Sequence, residues 1–462
     1  MFSKQFEGPG GISQLLYIAI PMVVSQACET IMMFTDRLFL SQVSPMHMSA
    51  SMSGGVTAFM FSTFFIGLTG YATPLVAQYL GSGNKKLCGV VIFQALIITF
   101  LSYPLILAVI PIGHWLFSVV SHSPQQIALE TMYFDILMYG TVLGLARNSI
   151  NAFFSGIGRT RMVMISALVT MSVNVVVNYM LILGNGGFPA MGIKGAAIGT
   201  IIGSACGLIT VMIGYIHSHK KNPQFELNRA FHFDWSVMKK LLRFGSPGGL
   251  ELFLNLLAFD LVILIFHSYG PIAAASVTIA FNFDLLFFIP LIGVNIGVTS
   301  LVGRYMGSGD PNLAHRTMLS GLKVVTVYGV LMIALFVFLP EPLVSIFINS
   351  PTNASEVSQM ASVMLQMVAI YVIADGYALV YSGALRGSGD TFWTMVISVT
   401  LHWLFLAEVL VLIKWLQLSP IAAWIAFVLF IPIIAVAFIL RYRSGAWRKI
   451  KVVDGSHLPT AA

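Results

Sequence analysis

A carboxylate held away from water can trade a proton or a sodium ion for a larger organic cation, and this chain places several carboxylates inside apolar stretches. Glu29 and Asp36 lie seven residues apart, which puts both on one face of a helix. Arg147 follows with the amides Asn148 and Asn151, and Asn174 and Asn178 form an i, i+4 amide pair. Later come Glu251, Asn255, Asp260, Asp284, Asp375 and Glu408. Ionisable groups within a bilayer are costly unless they face a partner or a wet cavity, so each is a functional candidate. Glu251 and Asn255 are one turn apart on one face. Asp260 is nine residues from Glu251, about half a revolution away, and does not share that face. For Asp260, Asp284 and Glu408 a polar contact between helices is as good a reading as a functional one. Arg147 is placed to neutralise a carboxylate of the first half, and His402 to pack in a core.

The elements that must position these groups are membrane helices. Of 462 residues, 57% are hydrophobic and 9% charged, which is no soluble surface. Apolar stretches long enough to cross roughly 30 Å of hydrocarbon recur over 13–40, 50–79, 89–119, 128–155, 163–184, 195–217, 247–268, 272–304, 318–348, 357–383, 393–416 and 419–440. The sequence thus predicts an all-α polytopic membrane protein of twelve transmembrane helices in two pseudo-symmetric six-helix lobes.

The halves copy each other. Thr73-Pro-Leu-Val-Ala-Gln-Tyr-Leu-Gly-Ser-Gly-Asn84 returns 226 residues later as Thr299-Ser-Leu-Val-Gly-Arg-Tyr-Met-Gly-Ser-Gly-Asp310, with seven of twelve positions identical. The same offset carries Pro21 onto Pro247, and Gly156-Ile-Gly-Arg-Thr160 returns as Gly387-Ser-Gly-Asp-Thr391. An even number of helices per copy makes the repeat parallel. The predicted divisions are 1–216 as the first lobe, 217–243 as a polar linker, 244–441 as the second lobe and 442–462 as a basic tail.

Basic residues, among them Lys4, Lys85, Lys86, Arg159, Lys220, Lys221, Lys239, Arg243, Arg386 and Arg441, fall on one side, with only Arg37, Lys194 and Lys414 flanking the other. Both termini are therefore expected in the cytoplasm of a multi-pass protein of the inner membrane. The net charge of +7 is a topology signal with contact to anionic lipid, and the chain has no folded basic module for nucleic acid. Cys28, Cys88 and Cys206 are isolated, so neither a disulfide framework nor a zinc site is expected. The amino-terminal residues do not resemble a removable signal peptide. The Gly-x-Gly loops lack P-loop spacing and read as tight turns, and Gly195, Gly199, Gly203 and Gly207 read as a close helix-packing face. With no HExxH or GxSxG motif, an enzyme is not expected.

The segment from Tyr371 to Thr391, with Asp375 followed by Ser382-Gly-Ala-Leu-Arg-Gly-Ser-Gly-Asp-Thr391, resembles the tenth helix and following loop of the multidrug and toxic compound extrusion (MATE) family. Pro21 and Phe34-Thr-Asp-Arg37 are similar to its first helix, and the duplicated Leu-Val-x-x-Tyr-x-Gly-Ser-Gly segments to the ends of its second and eighth. The resemblance covers nearly the whole chain. It implies a V-shaped pair of six-helix bundles expelling cationic amphipathic drugs or metabolites by alternating access, driven by proton or sodium flow, without a cofactor. It carries the coupling aspartates onto Asp36 and Asp375, and a polar pair of the fifth helix onto Asn174 and Asn178. Asn178 stands where the DinF-like branch has aspartate, which favours the NorM-like branch. Asn255 occupies a position where the family commonly has glutamate. Glu251 or Asp284 then supplies the displaced charge, with a sodium site expected near Asp375, Glu251 and Asn255. Asn151 and Tyr377 are expected along a polar or aromatic cavity, and the protein is expected to act as a monomer on small organic cations. The rival is a flippase or exporter of a lipid-linked or other endogenous substrate. Such a protein wants a basic cavity, whereas the spans here hold Arg147 against several acids.

Overall fold

The computed structural model describes residues 6–119, 122–347 and 354–453, all helices and turns with no strand among them. Lys4, the last residue of the predicted ninth span and the tail beyond 453 lie outside the described residues. In chain order the spans are α1 (Ile12–Val43), α2 (Pro45–Gly81), α3 (Lys85–Val119), α4 (Pro124–Gly156), α5 (Arg161–Leu183) and α6 (Ile193–Lys221). They continue as α7 (Trp235–His267), α8 (Pro271–Gly307), α9 (Pro311–Phe338), α10 (Ala354–Val368 and Val372–Ser388, bent by 48°), α11 (Thr391–Trp415) and α12 (Pro420–Arg443). Ten are long and apolar enough to cross a bilayer, and the bent α10 pair makes eleven. The remaining helix, α4, has 33 residues but is made more polar by Glu130, Asp135, Arg147, Asn148 and Asn151. The architecture is the twelve-helix fold expected.

Local chemistry sets several helix boundaries. Ser44, Ser123 and Ser419 precede Pro45, Pro124 and Pro420, and each serine side chain accepts a backbone N–H of the first turn. The fourfold set of turn glycines is also duplicated. Gly83 and Gly309, and likewise Gly158 and Gly389, all adopt positive φ at helix ends, which only glycine does without strain. The Gly-x-Gly loops are therefore helix stops. Helices overrun the hydropathy pattern where polar residues continue the coil, as in α7, which begins at Trp235 rather than 247. The ninth span instead ends early, at Phe338, because Pro340 opens a separate short helix, Pro340–Ser345.

The chain divides into two compact units. Among the described residues, one contains 24–253, 307–309 and 452–453, and the other contains 6–23, 254–306 and 310–451. The change of unit thus falls inside α1 and inside α7, in each case a few residues after the proline of the repeat, Pro21 or Pro247. Glycines let these half-helices dock. Within the first unit, a side-chain carbon on Gly67 of α2 would sit 2.6 Å from Gly249 Cα of α7. Within the second, one on Gly293 of α8 would sit 2.9 Å from the Val23 nitrogen of α1. Gly67 and Gly293 are themselves equivalent at the 226-residue offset, so the repeat preserves the docking surface.

The polar linker is ordered and packs in the first unit. Phe225 and Leu227 are buried, Phe225 meets Phe153 edge-on, and Gln94 donates to the His232 carbonyl at 2.8 Å. Lys86 pairs with Glu226 at 2.7 Å, and that hydrogen-bonded ammonium holds the Glu226 carboxyl below its ordinary range.

In the second unit, Asp390 of the Gly-Ser-Gly-Asp-Thr motif is 4% exposed and forms a two-pronged pair with Arg441, at 2.8 and 3.0 Å. Arg441 also lies over the Trp393 ring. The motif's acid therefore ties the start of α11 to the end of α12. Asp390→Asn removes one charge and leaves the guanidinium half-shielded and unpaired, an expected loss of about 3 kcal/mol. Thermal unfolding in detergent should show it, while transport per folded molecule stays near wild type.

Candidate functional site

In the first unit the candidate residues converge on Asp36. Asn178 and Asn174 are fully buried on α5, and the Asn178 side-chain amide donates to the Asp36 carboxylate of α1 at 2.5 Å. Asn174 and Thr200 of α6 flank the same carboxylate, and Asn174 donates to Thr200 at 3.4 Å. Asp36 itself is 8% exposed. Arg37 follows in the chain, yet among the described residues no ion pair reaches Asp36.

The glycine face of α6 makes this cradle possible. Gly199 lies directly under the Asn178 side-chain oxygen, Gly203 under Asn174, and Gly207 under Thr170 and Arg147. Any side chain at Gly199 would occupy the space of that oxygen. The predicted helix-packing face is thus also the floor of the site.

Arg147 goes elsewhere. It donates to Glu29 at 3.1 Å and to Thr170 at 3.4 Å, so it neutralises the acid one heptad before Asp36 and not Asp36. Asn148 donates to Thr69, and the buried Asn151 side-chain oxygen has no hydrogen-bond partner among the described residues.

In the second unit Asp284 and Asp375 are near neighbours. Tyr371, fully buried one turn before Asp375, donates its hydroxyl to Asp284 at 2.8 Å. Asp375 stands in the first turn after the α10 bend, where the helix restarts with Tyr371 as its cap. Helix 8 sets the register of this half of α10. Asn295 donates to the Leu379 carbonyl at 2.6 Å and Thr299 to the Gly383 carbonyl at 3.0 Å. Gly383 and Gly387 permit that approach, since a side-chain carbon at either would meet Asn295 or the Thr299 carbonyl within about 3 Å. Tyr377 bonds Thr326 of α9 at 3.1 Å.

The other candidates are not drawn into this pair. Asn255 donates to Ser398 of α11 at 2.8 Å, and His402 contacts the Ser398 carbonyl at 2.7 Å. Glu251 is 3% exposed and belongs to the first unit, whereas Asn255, Asp260 and Glu408 belong to the second. One buried Glu408 oxygen has no hydrogen-bond partner among the described residues.

The sequence reading passes over two histidine–carboxylate pairs at the start of α4. His122 meets the fully buried Glu130 at 3.0 Å, and His114 meets Asp135 at 2.7 Å. It also passes over Tyr371. The available signals are the i, i+4 spacing of Tyr371 to Asp375 and of Gln126 to Glu130, the latter a 3.0 Å hydrogen bond.

Membrane helices in a two-copy order, with buried acids among them, define a polytopic membrane protein. The MatE family profile matches residues 21–180 and 247–406, one match per repeat, and the chain belongs to that family of multidrug efflux transporters. The chain is 26% identical over 95% of its length, and 94% of the relative's, to a probable multidrug resistance protein NorM of Thermotoga maritima. It is 28% identical to the multidrug resistance protein MdtK of Yersinia enterocolitica, over 93% of this chain and 94% of that one. A crystal structure of MATE in complex with MaL6 superposes with a TM-score of 0.86 at 18% identity, covering 97% of this chain and 99% of that one. A MOP superfamily transporter from Pyrococcus furiosus, described as having a binding pocket of reversed polarity, gives 0.85 at 18% identity over 97% and 98%.

Proposed function

We propose that this protein is a secondary antiporter that exports cationic amphipathic drugs or metabolites by alternating access, in exchange for protons or sodium ions. It works as a monomer in the inner membrane with both termini cytoplasmic, and needs no cofactor. The observation that carries the reading is the choice of partners in the first unit. The half-buried Arg147 pairs with the more exposed Glu29, and Asp36 is left in a cradle of neutral amides. A carboxylate held by amides keeps its charge available to a proton, a metal cation or an organic cation, whereas one locked to a guanidinium does not.

In the second unit the Asp284–Tyr371–Asp375 group offers two acids and one hydroxyl, oxygen donors of the kind a sodium ion takes. Asp284 is the group that supplies the charge displaced from Asn255. Asn255, bonded to Ser398, then serves as a polar wall. Protonation or sodium binding at either group removes negative charge, weakens the hold on an organic cation and favours the state closed around the neutralised site.

Everted vesicles given a cationic dye in the medium test this directly. A pH gradient or a sodium gradient, imposed separately, is expected to drive dye movement well above that of vesicles lacking the protein. A rate independent of both gradients would refute antiport.

A further inference from the structure

We propose that the first unit holds an anionic phospholipid in a groove at the basic ends of α5 and α6. This inference is independent of the transported substrate. The groove has a volume of about 410 Å³, within the roughly 300–1,000 Å³ of small-ligand sites. Its floor is Gly214 and Ser218, both buried and one turn apart on α6, and its inner wall is Phe154 and Met162.

The rim is basic. Arg159, His217 and Lys221 line it, and no acidic residue does. Arg159 is steadied by a 3.0 Å hydrogen bond to the Asn222 side-chain oxygen, which leaves its other donors available. Among the described residues no protein acceptor reaches Lys221 Nζ. Glu226 of the linker is occupied by Lys86.

Below the rim the surface turns apolar. Ile213 is 62% exposed, and Ile209 and Ile216 continue the exposed stripe along α6. A phosphate held at the rim would thus lead into a track for an acyl chain. Charge above and hydrocarbon below fit a phospholipid with a net negative headgroup, and fit neither a free nucleotide nor a zwitterionic lipid as well.

Native mass spectrometry of protein released from nanodiscs of equal phosphatidylglycerol and phosphatidylcholine tests the proposal. Wild type is expected to retain phosphatidylglycerol preferentially. Retention should fall about tenfold or more in Arg159→Gln/Lys221→Gln. It should be preserved in the charge-keeping Arg159→Lys/Lys221→Arg, and in Lys239→Gln/Arg243→Gln, which removes the same charge outside the groove. Equal retention of both lipids, or an equal loss in the Lys239/Arg243 variant, would overturn it. Folding of variants is bypassed by a second measurement on wild type. Photoreactive phosphatidylglycerol should label peptides covering 154–165 and 209–221. Labelling elsewhere only, or displacement of the lipid by inorganic phosphate or ATP, would also overturn the assignment.

Discussion

Asp36→Asn and Asp375→Asn are each expected to reduce gradient-driven dye efflux to the level of vesicles without the protein, while leaving the fold intact. Asparagine has nearly the shape of aspartate but carries no charge and takes up no proton. At Asp36 the new amide can still present an oxygen to the Asn178 amide, so the cradle of α1 and α5 survives. At Asp375 the Tyr371–Asp284 hydrogen bond is untouched. Removing one buried charge that has no ionic partner tends to stabilise a helix bundle. Thermal unfolding in detergent should therefore be equal to or better than wild type. Efflux within about twofold of wild type in both variants would remove these residues from the mechanism, because a coupling site without its charge costs far more than the 1.4 kcal/mol that a tenfold change represents. If Asp375→Asn alone abolishes the sodium-driven component, the second-unit group is the sodium site. Asp284→Asn should then weaken the apparent sodium affinity while retaining a measurable maximal rate.

Gly199→Ala should be nearly as damaging, though the change is one methyl group on a helix. That methyl would have to take the space of the Asn178 side-chain oxygen, so the amide must rotate or α5 must shift. Over-packing of this kind costs about 1–3 kcal/mol. Losing the hydrogen bond to a charged acceptor costs about 1.5–3 kcal/mol at the site. Transport is expected to fall by about ten- to a hundredfold. Gly195→Ala, which would press on the Leu181 carbonyl one turn away, is the matched control for packing without the amide. A similar destabilisation with normal efflux would show packing alone. Gly199→Ala with full efflux would mean that the Asn178–Asp36 contact has no role.

Much of the fold was open to reading from residue order. Twelve apolar stretches and the 226-residue echo follow from the bilayer's thickness, its intolerance of charge and the duplication itself. Helix ends were less legible. Hydropathy reports only the lipid-crossing part of a coil, so it missed the polar first turns of α7.

The site was legible as a set of residue types but not as a set of contacts. The repeat duplicated the scaffold without its chemistry. Gly67 returns as Gly293, but at the same offset Asp284 faces Ala58 in the first copy, and at the 231-residue offset Asp375 faces Gly144. Symmetry could therefore not say which acids belong together.

From its sequence alone this chain was determined to be a two-copy membrane helix bundle of the MATE kind, with Asp36 and Asp375 as its candidate charges. Only the tertiary structure decided that Arg147 takes Glu29 and leaves Asp36 to Asn178, that Tyr371 bonds Asp284 beside Asp375, and that Asn255 turns to Ser398. The reason is geometric. Helical periodicity states which side chains share a face, but which neighbour that face meets depends on how closely two helices approach. Here that is set to within a methyl group by glycines such as Gly199 and Gly383.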